Sequence, residues 1–461
     1  MIDSRRCQSE EEFVYRYPTE IDAGKLDHLS RWIKLKTEQG AGDLQHIVDE
    51  VHRFIDSRIG CVETQPDDPD LALCEPADLD AIRSLRPAGV RRIWAELPRQ
   101  EYLRRLQGAM FSRFAGCTLG SPVELHSVEA MEAWASYVGD EFPPVDYWLQ
   151  VDRPSATRYA VSLREDLARG RIRHVPSDDD VGYTILGLLI LEECGPDFTT
   201  ADVAATWQKY FLRDCAYTAE RITYDNLTRG LDPSIAGETG NYDRQLIGAG
   251  IRCDPWAYAA PGWPEKAAEL AYRDAFTSHR RNGIYGSMYF AAAISAAFTV
   301  DDPVEALHIG LQEIPSDCLL AREVKWALAE APNIKGYRDG HAAVNERFAG
   351  MNRVHTINNA VLTVWGITIG GRDVTSVLSQ TVAMGYDNDC TAATAGSIVG
   401  AAVGIDNVPE RWYKPFNNKV RIYLKDRNDF ELDDLVQRFA SQAGTMFASS
   451  GDSDWRRRSA E

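Results

Sequence analysis

The chain has 461 residues, enough for two or three domains or for one large domain with extensions. Its 44% hydrophobic and 26% charged content is that of a soluble globular protein and excludes the disordered and fibrous classes. A net charge of -19 argues against nucleic acid or an anionic membrane as the main partner, because phosphate affinity needs a basic face. An acidic pocket can still take an anionic substrate when bound cations invert its field.

Nine cysteines without a Cys-x-x-Cys pair, in a chain too long to need staples, predict reduced and mostly buried thiols. No apolar stretch follows the polar start Met1-Ile2-Asp3-Ser4-Arg5-Arg6, so no signal peptide is expected. No apolar run reaches the ~18 residues of a membrane span. A cytoplasmic location follows from these readings.

Residues 1–98 read as a mostly helical extension. Helical spacing runs from Leu44 to Val51 and includes Phe54, Gln65–Asp70 is an exposed Pro/Asp loop, and a short helix is expected at Ala77–Leu85. From Arg99 the text changes. Glycine, alanine and bulky apolar residues recur every three or four positions in Tyr102–Phe114, Val181–Leu191, Ala259–Phe298 with one break, Val361–Ile367 and Thr391–Val403. Strict alternation is rare, so the fold class is all-α. The small-residue segment Thr391–Gly404 belongs at the centre of a bundle, since each interior glycine otherwise costs about 1 kcal/mol. A catalytic domain over 99–445 and a polar tail over 446–461 complete the expected organisation.

Three segments carry chemistry. Pro176-Ser177-Asp178-Asp179-Asp180 precedes an apolar helix; Ser177 with Asp180 forms a capping-box pattern, yet three consecutive acids exceed what a cap requires. Gly385-Tyr386-Asp387-Asn388-Asp389-Cys390 also precedes a helix, and its Asp-x-Asp offers hard oxygen ligands suited to Mg²⁺ or Ca²⁺. Glycines 108, 116 and 120 let a helix pack closely and end before Pro122, leaving Glu124 on a loop. Each segment alone is also explained as a helix terminus with a polar turn.

In this order the three segments resemble the ADP-ribosylglycohydrolase superfamily, which includes the dinitrogenase reductase-activating glycohydrolase and the ADP-ribosylarginine and ADP-ribosylserine hydrolases. Its pattern runs G-D-x-x-G-x-x-x-E, T-D-D-T, G-N-G-x-x-M-R and G-x-D-T-D-T, and the resemblance spans roughly residues 101 to 440. It implies a compact orthogonal multi-helix bundle. It implies that Ser177, Asp178 and Asp179 stand at the first metal ligands, Asp387 and Asp389 at the later pair, and Cys390 at the closing threonine. Glu124 falls on the glutamate that is the catalytic acid/base in some members, with Asp179 as the other candidate. Gly248 and Arg252 match the loop that holds the substrate's phosphate and ribose, with Ile247 replacing its Asn. His279, after Ser278, matches a Thr-His step that touches the substrate in some members; a polar residue satisfied inside a helix is the alternative reading.

The resemblance therefore implies a Mg²⁺-dependent hydrolase, with one or two ions and Mn²⁺ as the alternative metal, that cleaves a ribosyl glycosidic bond of an ADP-ribosylated protein or small ribosyl nucleotide. Two alternatives stand beside it: an N-glycosidase acting on a small nucleoside or nucleotide, and a non-catalytic ADP-ribose-binding module. The departures at Cys117, which replaces the family's Asp, and at Cys390 mark an outlying member. A thiol is a soft ligand and a poor partner for Mg²⁺.

Overall fold

Small residues set the architecture of this chain. The structure, a computed structural model, describes residues 17–18, 21–151 and 165–449. Among the described residues are twenty α-helices, short 3₁₀ turns and one two-stranded antiparallel sheet. The fold is all-helical, as the periodicity predicts. The polar tail beyond Ser449 lies outside the described residues.

The chain divides into two compact units, Met1–Leu73 and Cys74–Glu461. The smaller unit carries helices Ala23–Glu38 and Gln45–Glu63, neither of which contains a buried residue. The expected Gln65–Asp70 loop is shorter than its sequence suggests, because a helix starts at Pro69. Residues 74–98 are tied into the larger unit: Arg281 pairs with Glu75 at 2.9 Å, and Arg91 with the buried Glu313 at 3.0 Å.

At the centre of the larger unit, helix Arg99–Gly120 lies against helix Asn388–Val403. Their glycines interlock. A Cβ on Gly116 would come 2.5 Å from the Ala392 carbonyl carbon, one on Gly396 2.7 Å from that of Ser112, and one on Gly400 2.6 Å from that of Gly108. The backbones touch along the whole length, so glycine here replaces propensity with close approach. Every residue of helix Asn388–Val403 is buried.

A buried network pins this pair to its neighbours. The Arg113 guanidinium, fully buried, sits 3.1 Å from Asp180 and 2.7 Å from Asp254. Asp254 in turn accepts a hydrogen bond from Ser397, and Tyr258 and Ser397 hydroxyls lie 2.6 Å apart.

The expected Ala259–Phe298 helix is broken twice rather than once. Helix Asp254–Ala259 ends before Gly262-Trp263-Pro264, and a second break at residues 276–281 separates Pro264–Ala275 from Asn282–Ala297. Gly262 has φ +64°, and Pro264 starts the next helix at a position where its missing N–H is not needed.

The sheet was not expected. Strands Lys419–Leu424 and Arg427–Glu431 pair in the register Val420↔Phe430, with an irregularity between Arg421 and Leu424. The strand alternates buried Val420, Ile422 and Leu424 with outward residues, and its other edge takes Val175 in a parallel bridge. That bridge fixes the approach to the acidic cluster three residues on.

Among the described residues seven cysteines are free thiols, four of them buried, in line with the reduced set expected; Cys74 departs from it and is disulfide-bonded. No helix among the described residues is long and apolar enough to cross a membrane.

Candidate metal centre

The three segments meet. Helix Arg99–Gly120 ends in the turn Ser121–Val123, and Glu124 follows in an exposed position. Its loop is held by Leu125, whose amide donates to the Tyr386 carbonyl at 2.9 Å. The Glu124 loop and the Asp387 loop are thereby tied together. Leu125 and Tyr386 both adopt positive φ, +58° and +64°, a conformation that costs a non-glycine residue roughly 1 kcal/mol or more. Strain is thus stored on both sides of the acids.

Asp178 is the N-cap of helix Asp179–Cys194; its carboxylate accepts from the Asp180 amide at 3.3 Å and from the Ser121 hydroxyl at 2.8 Å. The capping box expected of Ser177 does not form. Ser177 instead donates its hydroxyl to the Arg421 carbonyl at 2.8 Å, held there by the strand bridge at Val175. Asp387 is the N-cap of the central helix, where the Cys390 backbone helps to hold its carboxyl.

A cavity of about 570 Å³ collects these residues. Glu124, Ser177, Asp178, Asp179, Asp387, Asp389, Cys390 and Gly248 all line it. Its other walls are aromatic and aliphatic, from Tyr183, Tyr217, Tyr423, Leu246, Ile251 and Val354. Among the described residues lining it there is no Lys or Arg.

Two expected substrate-binding residues are not brought to this wall. Arg252 is buried; it pairs with Glu220, with Asp274 at 2.8 Å, and donates to Ser278 at 3.0 Å. Its guanidinium also lies over the Tyr183 and Trp207 rings. It braces the cavity from behind, since Glu220 and Tyr183 do line it. His279 is fully buried, with Nδ1 2.8 Å from the Ser278 hydroxyl, and burial holds its pKa well below the ordinary value. The reading of His279 as a satisfied helical polar residue is also incomplete: it precedes helix Asn282–Ala297, and its Nε2 has no hydrogen-bond partner.

The acids crowd one another. Burial, then Asp178 and Asp180, push the Asp179 carboxyl well above its usual range. Burial raises Asp180 to about 8, against the opposing pull of Arg113. Asp389 is raised well above normal by burial and then by Asp387. Like charges this close, with little water, cannot all ionise unless a cation joins them. Three groups of potential ligands have donor atoms within 4.8 Å of one another: Cys117–Asp178–Asp180, Asp180–Asp389–Cys390 and Glu124–Asp387–Asp389. One carboxylate oxygen each on Asp180, Asp387 and Asp389 is buried without a hydrogen-bond partner. Such oxygens are where a metal ion fits.

Asp180 and Cys117 enter these groups although the sequence marked them as a cap and a departure. Asp180 hides because its capping-box spacing offers a sufficient local explanation. Tyr423 enters the cavity from the unexpected hairpin.

The family model for ADP-ribosylglycohydrolase matches residues 98–445. The ADP-ribosyl-[dinitrogen reductase] glycohydrolase of Rhodospirillum rubrum is 27% identical over 241 residues, covering 50% of this chain and 71% of that protein. A solved structure titled ADP-ribosylglycohydrolase-related protein complex aligns with TM-score 0.49 and 19% identity, over 76% of this chain and 99% of the other. With three separated segments converging on one acidic cavity and a family match across most of its length, the chain belongs to the ADP-ribosylglycohydrolase family.

Proposed function

We propose that this protein is a Mg²⁺-dependent hydrolase that cleaves the ribosyl glycosidic bond of an ADP-ribosylated substrate. The observation that carries the reading is the convergence of Glu124, Asp178, Asp179, Asp387 and Asp389 on one cavity, with buried, unpartnered carboxylate oxygens on Asp387 and Asp389 that a cation would satisfy. Its family membership supplies the reaction class.

Cleavage at an anomeric carbon passes through an oxocarbenium-like transition state, which an acidic site stabilises and an acid/base pair completes. Divalent metal bound here would polarise water and orient the ribose hydroxyls. Asp178, Asp179, Asp387 and Asp389 are the carboxylates assigned to hold it, with Ser177 and Cys390 at the edges of the set. Glu124 is the exposed carboxylate at the mouth, placed to exchange a proton with water or leaving group. Asp179, whose carboxyl is pushed well above its usual range by burial and then by its acidic neighbours, is the other candidate for that exchange. Tyr183, Tyr217 and Tyr423 offer flat faces to a base or ribose. Gly248 leaves room for the Glu220 carboxylate, which a Cβ there would meet at 2.5 Å.

A second reading is favoured by one observation. Among the described residues the cavity wall has no Lys or Arg, and Arg252 is spent on Glu220 and Asp274. The side-chain donors those residues offer a diphosphate are the hydroxyls of Ser177, Thr218 and the tyrosines. An N-glycosidase for an uncharged nucleoside fits that wall equally well. Incubating the protein with arginine- and serine-linked ADP-ribosyl peptides and with simple nucleosides, each with Mg²⁺, separates the two. Release of ADP-ribose supports the first reading; release of free base from nucleosides alone supports the second. Asp389→Ala should abolish whichever activity is seen while leaving the helical content unchanged.

A further inference from the structure

The ligand set of the acidic cleft is not uniform. Its three donor groups form a chain, with Asp180 shared by the first and second and Asp389 shared by the second and third. The first two contain the thiols of Cys117 and Cys390; the third, Glu124–Asp387–Asp389, is all oxygen. Sulfur thus lies at one end and hard oxygen at the other. Soft thiolates select zinc-class ions, whereas carboxylates alone suit Mg²⁺, Ca²⁺ or Mn²⁺.

A second feature points to a ligand at the sulfur end. Asp180 is 0% exposed and its Oδ2 has no hydrogen-bond partner. Arg113 does not supply one: it reaches Oδ1, and its other nitrogen pairs with Asp254 at 2.7 Å. Asp389, 3% exposed, likewise carries an unpartnered Oδ1. Both residues belong to the group that includes the Cys390 thiol.

We propose that this centre is graded, with a zinc-class divalent ion held at the sulfur end, where Asp180 joins the group of Cys117 to that of Cys390, and a hard ion such as Mg²⁺ at the end formed by Glu124, Asp387 and Asp389. The inference rests on the reading that the cleft binds divalent metal and adds the kind of ion each end selects. Binding at the sulfur end replaces an S–H bond with an S–metal bond and releases one proton to solvent for each thiol engaged. No oxidant or reductant is involved.

The test uses the full chain, stripped with chelator and titrated with Co²⁺ as a spectroscopic stand-in for zinc, while Mg²⁺ binding is followed separately by calorimetry. The expected result is a sulfur-to-cobalt charge-transfer absorption in the near ultraviolet, proton release on binding, and loss of the band when Zn²⁺ is added. Cys390→Thr should weaken Co²⁺ and Zn²⁺ binding by at least the ~10–100-fold that even outer-shell partners contribute, and weaken Mg²⁺ binding far less. Cys117→Ser, checked for folding by circular dichroism, should weaken the same band. Co²⁺ bound without the band, with Cys390→Thr indistinguishable from the parent, would overturn the graded centre and leave a hard-metal hydrolase standing. Absence of binding by all three ions would overturn both readings.

Discussion

Gly120→Ala is a sharp probe of how the fold sets the site. Gly120 is the last residue of its helix, and a Cβ there would lie 2.5 Å from the amide nitrogen of Asp389 and 2.7 Å from the carbonyl carbon of Asn388. Ordinary contact begins near 3.5 Å, so the two backbones must separate by roughly 1 Å. Misplacement of that size costs about 100-fold in turnover when it falls on a catalytic group. Overpacking costs about 1–3 kcal/mol in stability. Spread over the roughly 390 residues of the larger unit, at ~2.1 cal/mol/K per residue, that lowers Tm by only about 1–4 °C. The control is Gly108→Ala, where a Cβ would meet the Gly404 carbonyl carbon at 2.9 Å. That position lies about 18 Å further back along the helix. Turnover, metal affinity by calorimetry and Tm would be measured for both. Equal losses of metal affinity in the two variants would refute the claim that the helix end positions Asp389.

Four further outcomes follow from the same geometry. Arg113→Met should cost about 3–5 kcal/mol, read from denaturant unfolding, because it strands Asp180 and Asp254 in the core. Arg252→Ala should lower stability by a similar amount through Glu220 and Asp274; a rise in KM at unchanged Tm would instead make Arg252 a substrate contact. Saturating the stripped protein with Mg²⁺ at 100 times its Kd should add about 2.7 kcal/mol, or roughly 3 °C in Tm, and no shift would deny a site in the folded state. In chelator, stability should fall as pH rises: Asp180 is raised to about 8 from an unfolded value near 4, so its contribution is present in full below pH 4 and is lost by pH 8. Metal should flatten that slope, which thermal scans between pH 5 and 8 would detect.

Much of this was legible in the sequence because the signals were redundant. Glycines 108, 116, 396 and 400 betray two helices in backbone contact, and the acids stand directly before helices. What escaped was set by tertiary direction. Ser177 has the spacing of a capping box, yet strand pairing at Val175 turns its hydroxyl to Arg421. Arg252 and His279 match positions in a pattern, but local backbone geometry turns both side chains inward, where Glu220, Asp274 and Ser278 meet them. The alternation Val420-Arg421-Ile422-Tyr423-Leu424 was a strand signal too short to stand out against so much helix.

The two ends of the metal centre are distant in sequence. Asn388 donates to the Val123 carbonyl across 265 positions. At ~5–20 residues per second of synthesis, roughly 13–50 s pass between the emergence of the first half and of the second. Throughout that interval the nascent chain has Glu124 and Asp178 but neither Asp387 nor Asp389. Until the central helix docks, the nascent chain lacks the Glu124–Asp387–Asp389 group. A chain stopped before Asp387 should therefore lose Mg²⁺ binding at that group, so the placement of these two acids makes the oxygen end of the cleft the last part of the fold to be completed.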